Sequence, residues 1–168
     1  MGWIEKKAPG KNYGRGTEGS TQPYDRGSVN GPGPYFTFSA PIKDANGRTV
    51  ANLPCQKPPW SRLVAVNANT GDIAWQTTLG INEALPEGKQ SVGGSGSAGP
   101  TATAGGLVFV GATNDRRFRA FDSRTGKELW VTRVNGIVNA NPMTYQGKNG
   151  KQYVAVVATD FLVAFALP

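Results

Sequence analysis

The chain has no histidine and one cysteine, Cys55, among its 168 residues. Without histidine it cannot build a Ser-His-Asp or Cys-His nucleophile system, ligate haem through imidazole or form a His-based metal site. A single cysteine excludes an intrachain disulfide and a Cys-rich zinc site. With no neighbouring base and prolines on either side, Cys55 reads as a buried or half-buried packing residue rather than a nucleophile. No apolar run approaches the roughly 20 residues a membrane span needs. The first residues, Met1-Gly2-Trp3-Ile4-Glu5, lack the apolar core of a signal peptide. No amphipathic helix of useful length is present. No Gly-x-x-x-x-Gly-Lys-Ser/Thr loop occurs either, so nucleoside triphosphate chemistry has no support.

What the chain does have is turns: 23 Gly and 12 Pro, with only 17% of residues charged, suit an all-β protein. One unit is written twice, from Leu63 to Trp75 and from Phe118 to Trp130, in register 55 residues apart. Each copy predicts a strand of alternating apolar residues, a turn closed by Thr70-Gly71 or Thr125-Gly126, and a second strand ending in tryptophan. Asn67 and Asp122 occupy the same place in the unit and are expected to form the turn. Trp75 and Trp130 are expected to anchor sheet packing. A hairpin alone is marginal in water, so repeated hairpins must extend into larger sheets packed face to face.

The intervening sequence supplies further strands. Thr101 to Thr103 is a short strand, Gly105-Gly106 a turn and Leu107 to Val110 an apolar run. The pattern returns a third time in Asn141 to Tyr145, Tyr153 to Val157 and Leu162 to Phe165, and stops before a Thr-Gly turn. The count is about two and a half four-stranded blades of a partial β-propeller. Closed propellers have about four to eight blades. Open sheet edges therefore make self-association an expected property.

Residues 1–60 form a loop-rich N-terminal segment with short strands, and residues 61–168 the blades. Met1 to Ile4 reads as part of a strand, Lys6 to Pro34 as a loop or linker, and Tyr35 to Phe38 as extended. Pro58 and Pro59 are expected to hold an extended backbone that leads Trp60 into the Leu63 strand.

The net charge of +7 is scattered over turns and the N-terminal region, which favours a solvated basic surface over a nucleic-acid site. Gly94-Ser95-Gly96-Ser97-Ala98-Gly99 spells the dinucleotide fingerprint. It lies between a polar loop and a Thr-rich strand with no helix to follow, and so reads as an entry loop. Glu83, Glu87, Asp122 and Glu128 fall at no spacing that suggests a paired acid and base.

Seven motifs in order carry a more specific signal: Pro54-Cys55-Gln56-Lys57-Pro58-Pro59-Trp60, the Asn69-to-Trp75 hairpin, Ala102 to Asp115, Phe118 to Asp122, Pro142 to Tyr145, Gly150 to Tyr153, and Ala164 to Pro168. Together they resemble the C-terminal portion of a pyrroloquinoline-quinone (PQQ)-dependent dehydrogenase, of the branch that includes membrane-bound glucose and quinate dehydrogenases. The resemblance implies an eight-bladed quinoprotein propeller with PQQ and a calcium or magnesium ion near its axis. It implies oxidation of a sugar or alcohol hydroxyl in the periplasm, with electrons leaving to a membrane quinone or another acceptor.

By the family's pattern, the main catalytic aspartate, a quinone-contacting lysine and the metal ligands lie in earlier blades, outside this chain. One cofactor-proximal position matches, Asp115, with Asn114 and Thr113 beside it. Arg116 and Arg117 either hold the Asp115 charge or face solvent. The competing reading of Asp115 is a simple turn cap. Relatives carry a Gly-rich insertion before the last strand where this chain has only Val157 to Leu162. Activity of this chain alone is therefore not expected. A non-catalytic propeller scaffold that binds protein partners remains the alternative function.

Overall fold

A computed structural model describes residues 39–166 and, as backbone, residues 2–5 and 24–27. The expectations for most of Lys6 to Pro34, for Tyr35 to Phe38 and for Leu167-Pro168 lie outside the described residues. Thirteen strands and no helix occur among the described residues. Strands β1 (Gly2–Glu5) and β2 (Tyr24–Gly27) pair antiparallel, so the stretch read as a linker contributes a strand. Tyr24-Asp25-Arg26-Gly27 has no apolar alternation to announce it.

β3 (Ser39–Lys43) and β4 (Thr49–Pro54) form one hairpin, and β5 (Arg62–Val66) and β6 (Ile73–Thr78) another. A four-stranded antiparallel sheet follows in the order β10-β9-β8-β7, built from β7 (Thr101–Ala102), β8 (Leu107–Val110), β9 (Arg117–Asp122) and β10 (Glu128–Arg133). The last sheet has three strands, β11 (Met143–Gln146), β12 (Gln152–Ala158) and β13 (Phe161–Ala166), in chain order. One complete blade, a three-stranded blade and the paired hairpins before them match the expected partial propeller.

The two copies of the repeat share their details. In both, the hairpin register slips by one residue just before the tryptophan, at Ala74 and at Leu129. The Asn67 side chain accepts the Asn69 N–H at 2.9 Å, and Asp122 accepts those of Arg124 and Thr125 at 2.9 and 3.0 Å, which are the expected turns. Gly71 and Gly126 close them at φ of 80° and 70°. Hydrogen bonds from the Arg124 N–H, and then from Thr125, hold the Asp122 carboxyl below its ordinary pKa.

Strand alternation sorts β8 and β9 onto two cores. Val108, Val110 and Phe121 face Leu63, Leu79 and Trp75 of the preceding unit. Phe109, Phe118 and Ala120 face Val154, Val156 and Ala158 of the following sheet, closed by Val134 and Val138. Phe118 is fully buried, and its ring centroid lies 5.9 Å from those of Phe109, Trp130 and Phe165.

Trp75 donates its indole N–H to the Ser123 carbonyl at 2.9 Å, so the tryptophan of one unit sits on the Thr-Gly turn of the next. A Cβ at Gly126 would run into the Trp75 ring, and only glycine leaves room there. The Trp60 N–H reaches the Val92 carbonyl, and the Pro58-Pro59 bond is cis. Cys55 is exposed rather than packed, in the connection that follows β4.

Candidate functional site

The connection from β8 to β9, Gly111 to Arg116, is tightly constrained. Ala112 and Arg116 adopt φ of 57° and 56°, a left-handed backbone that costs about 1 to 2 kcal/mol for a residue with a Cβ. Such strain persists only where surroundings enforce it. Here the Ala112 N–H donates to the Val138 carbonyl at 3.0 Å and the Asn114 N–H to the Ser95 carbonyl at 2.8 Å. The stretch read as an entry loop is the clamp: a Cβ at Gly96 would fall on the Ala112 carbonyl, and one at Gly80 would lie 2.6 Å from Thr113 Cγ2. Gly96 is needed for close approach of two backbones, and Gly80, outside that stretch, for room beside the Thr113 side chain.

Asp115 organises the loop. Its side chain is 1% exposed and its carboxylate accepts from the Ile81 N–H at 3.1 Å, the Thr113 hydroxyl at 2.6 Å and the Arg117 N–H at 3.1 Å. Both terminal nitrogens of Arg119 also donate to it. Burial pushes the carboxyl pKa up. The hydrogen bonds from Arg119 and Thr113, the Arg119 charge and the Ile81 amide outweigh that and hold it below its ordinary value. Asp115 is therefore ionised at neutral pH, with both oxygens engaged.

Thr113 is fully buried, whereas Asn114 is exposed and donates from Nδ2 to Ser95 Oγ at 2.8 Å. Thr113 and Asp115 thus fix the loop from within while Asn114 meets solvent. Asn114 and Asp115 line both a polar cleft of about 620 Å³, shared with Arg116, Arg133 and Asn135, and a second of about 360 Å³, shared with Ile81 and Ser95.

The residue that holds the Asp115 charge is Arg119, which sequence reasoning did not single out. It is 2% exposed, and its Nε also reaches Glu128 at 3.2 Å. The signal was present: a lone arginine between Phe118 and Ala120-Phe121 in a buried strand requires a carboxylate. Arg117 donates instead from its side chain to the Asp115 carbonyl at 3.1 Å and to Glu83 at 2.8 Å. Among the described residues no group of three or more His, Cys, Asp or Glu side chains is placed to hold a metal ion.

The family of the glucose/ethanol/alcohol dehydrogenase β-propeller domain, PQQ, matches residues 5–154. The chain belongs to this family. It is 42% identical over 131 residues to the quinate/shikimate dehydrogenase (quinone) of Acinetobacter baylyi, covering 68% of this chain and 16% of that protein. It is 40% identical to quinoprotein glucose dehydrogenase A of Acinetobacter calcoaceticus, over 69% of this chain and 16% of that protein. Against the glycerol dehydrogenase large subunit of Gluconobacter thailandicus, identity is 35% over 94% of this chain and 22% of that protein. The chain spans about a sixth to a fifth of the length of these curated relatives. Membership of this family agrees with the all-β fold and with the resemblance read from the ordered motifs.

Proposed function

We propose that the chain is a C-terminal propeller segment of a PQQ-dependent sugar or alcohol dehydrogenase, inactive alone, whose Thr113-Asn114-Asp115 loop forms part of the wall near the quinone. The observation that carries this reading is the loop itself. Two non-glycine residues in left-handed conformation bracket it, a saturated Asp115 pins it, and Asn114 stands exposed at the junction of two polar clefts. Backbone strain of this kind concentrates at functional sites.

The donor set suits a quinone rather than a cation. Asn114, Asn135, Arg116 and Arg133 offer hydrogen bonds to the oxygens of an acidic quinone, whereas the one buried carboxylate, Asp115, has no lone pair left for calcium or magnesium. When bound, the quinone supplies the acceptor for hydride from a substrate hydroxyl. In this chain Asp115 does not take the hydroxyl proton, because its oxygens are already engaged. Its work is to hold Thr113 and turn Asn114 outward. The catalytic base and the metal ligands accordingly belong to other blades, as does the route to a membrane quinone or other acceptor on the periplasmic side.

The same saturation of Asp115 favours a second reading, a non-catalytic scaffold that binds protein partners. Among the described residues β13 is an edge strand, with Phe161 and Leu162 51% and 73% exposed, which supports self-association in either case. Titrating the chain with PQQ and calcium while following tryptophan quenching, with dye reduction assayed alongside on glucose, quinate and simple alcohols, separates the readings. Saturable quenching without turnover is expected. Absence of quenching would leave the scaffold.

A further inference from the structure

Three strands contain unbroken apolar runs: Leu63 to Val66 in β5, Leu107 to Val110 in β8 and Tyr153 to Ala158 in β12. Such a run suits a strand covered on both faces. β8 has both covers, since Val108 and Val110 pack towards the first of these units and Phe109 towards the last sheet. β5 and β12 have one cover each. Leu63 packs inward, while Val66 and its cross-strand partner Ile73 are 56% and 60% exposed on the opposite face, with Val64 beside them. Val154, Val156 and Ala158 pack inward, while Met143, Val157 and Leu162 share the opposite face of the last sheet and are 58%, 43% and 73% exposed.

Two bare apolar faces thus stand at the two ends of one succession of sheets. In both interior interfaces, the face that a unit turns towards the later part of the chain meets the face that the next unit turns back. The bare face of the last sheet is of the first kind, and that of β5 and β6 is of the second. Charge agrees with this pattern. Arg62 and Asp160 lie at the same end of their sheets, where β5 and β13 begin. Among the described residues Asp160 forms no ion pair, and Arg62 meets only the neutral Gln76 amide, at 3.3 Å.

We infer that a second copy of this chain docks head to tail, with the Met143, Val157 and Leu162 face of one copy on the Val64, Val66 and Ile73 face of the next. The contact repeats between molecules what the interior interfaces do within one, and exposed apolar patches of this kind mark interaction surfaces. It joins unlike faces, so it propagates into a ring or a filament and does not stop at a symmetric dimer. The inference needs no quinone contact and stands apart from the proposed dehydrogenase reading.

The test is sedimentation velocity on the whole chain without cofactor, for wild type, Val66→Lys, Leu162→Lys and an equal mixture of the two variants. Circular dichroism confirms that each is folded, and Ile73→Lys or Met143→Lys replaces a variant that is not. Each lysine puts a charge on one face and leaves the other intact. Wild type is expected to form assemblies whose mass rises with concentration, and each variant alone to be monomeric. The mixture is expected to give a species of about twice the monomer mass, because the two intact faces still fit each other and neither end can extend.

A wild type that stays monomeric at its highest soluble concentration overturns the inference and leaves both faces to other blades of a longer propeller. A mixture that stays monomeric overturns it too, because each face then pairs with its own kind. Variants that assemble like wild type would place the contact elsewhere, as at the β13 edge. Tryptophan quenching by PQQ, measured on the Val66→Lys monomer, reads the dehydrogenase proposal separately.

Discussion

Arg119 and Asp115 form an ion pair whose side chains are 3% and 1% exposed, four residues apart across the turn from loop to strand. The pair ties β9 to the Gly111–Arg116 loop and, through the Ile81 N–H, to the segment that follows β6. Breaking one half leaves the other charge buried. Asp115→Asn is expected to cost about 3 kcal/mol, moderated by the Glu128 contact that Arg119 keeps. Urea unfolding of the variant measures it, and a loss under about 0.5 kcal/mol, the range of an ordinary surface change, would contradict the assignment.

The same carboxylate makes stability fall with acid. Its folded pKa is depressed relative to an unfolded aspartate near about 3.9, so its contribution is complete above that value and disappears as pH falls through the folded pKa. Wild type should lose urea resistance between neutral pH and pH of about 3, and Asp115→Asn should lose less over the same interval. Parallel curves for the two proteins would show that Asp115 contributes nothing to the acid transition.

The tryptophan on the next unit's turn gives a paired comparison. A Cβ at Gly71 meets nothing within 4 Å, while one at Gly126 would run into Trp75. Both substitutions to alanine bear the left-handed backbone penalty of about 1 kcal/mol. Gly126→Ala should lose more than Gly71→Ala, and Trp75→Phe should lose about 1 kcal/mol for the hydrogen bond to Ser123. Equal melting temperatures for the two glycine variants would rule out the anchoring contact.

Phe118 stands at the centre of the second core, in contact with three other aromatic rings. Phe118→Ala is expected to destabilise by about 3 to 5 kcal/mol. Val64, on an exposed face of β5, should tolerate alanine with a change below about 0.5 kcal/mol. A chemical-denaturation series on both variants checks the contrast.

Much of this was legible in the sequence because repetition amplifies it. The Leu63 and Phe118 units announce the same turn and the same tryptophan, and the unbroken apolar run from Leu107 to Val110 announces a strand, which the structure packs on both faces. The exposure of Cys55 is not legible, because a small residue among prolines carries no sign of whether it is packed. Arg119 is harder to read than Arg116 and Arg117, which lie nearer to Asp115 along the chain, although an arginine inside a buried apolar strand requires a carboxylate. The clamp from Gly94 to Gly99 reads only as an entry loop, since close backbone contact leaves no mark except the glycines themselves.

The measurement that tests the central claim most directly is a nuclear magnetic resonance titration of isotope-labelled chain with PQQ, reading backbone amide shifts residue by residue. The account predicts that the largest shifts fall on Thr113, Asn114, Asp115 and the facing Ser95. Shifts confined to another surface, such as the cleft lined by Tyr145 and Tyr153, or no shifts at all, would contradict it.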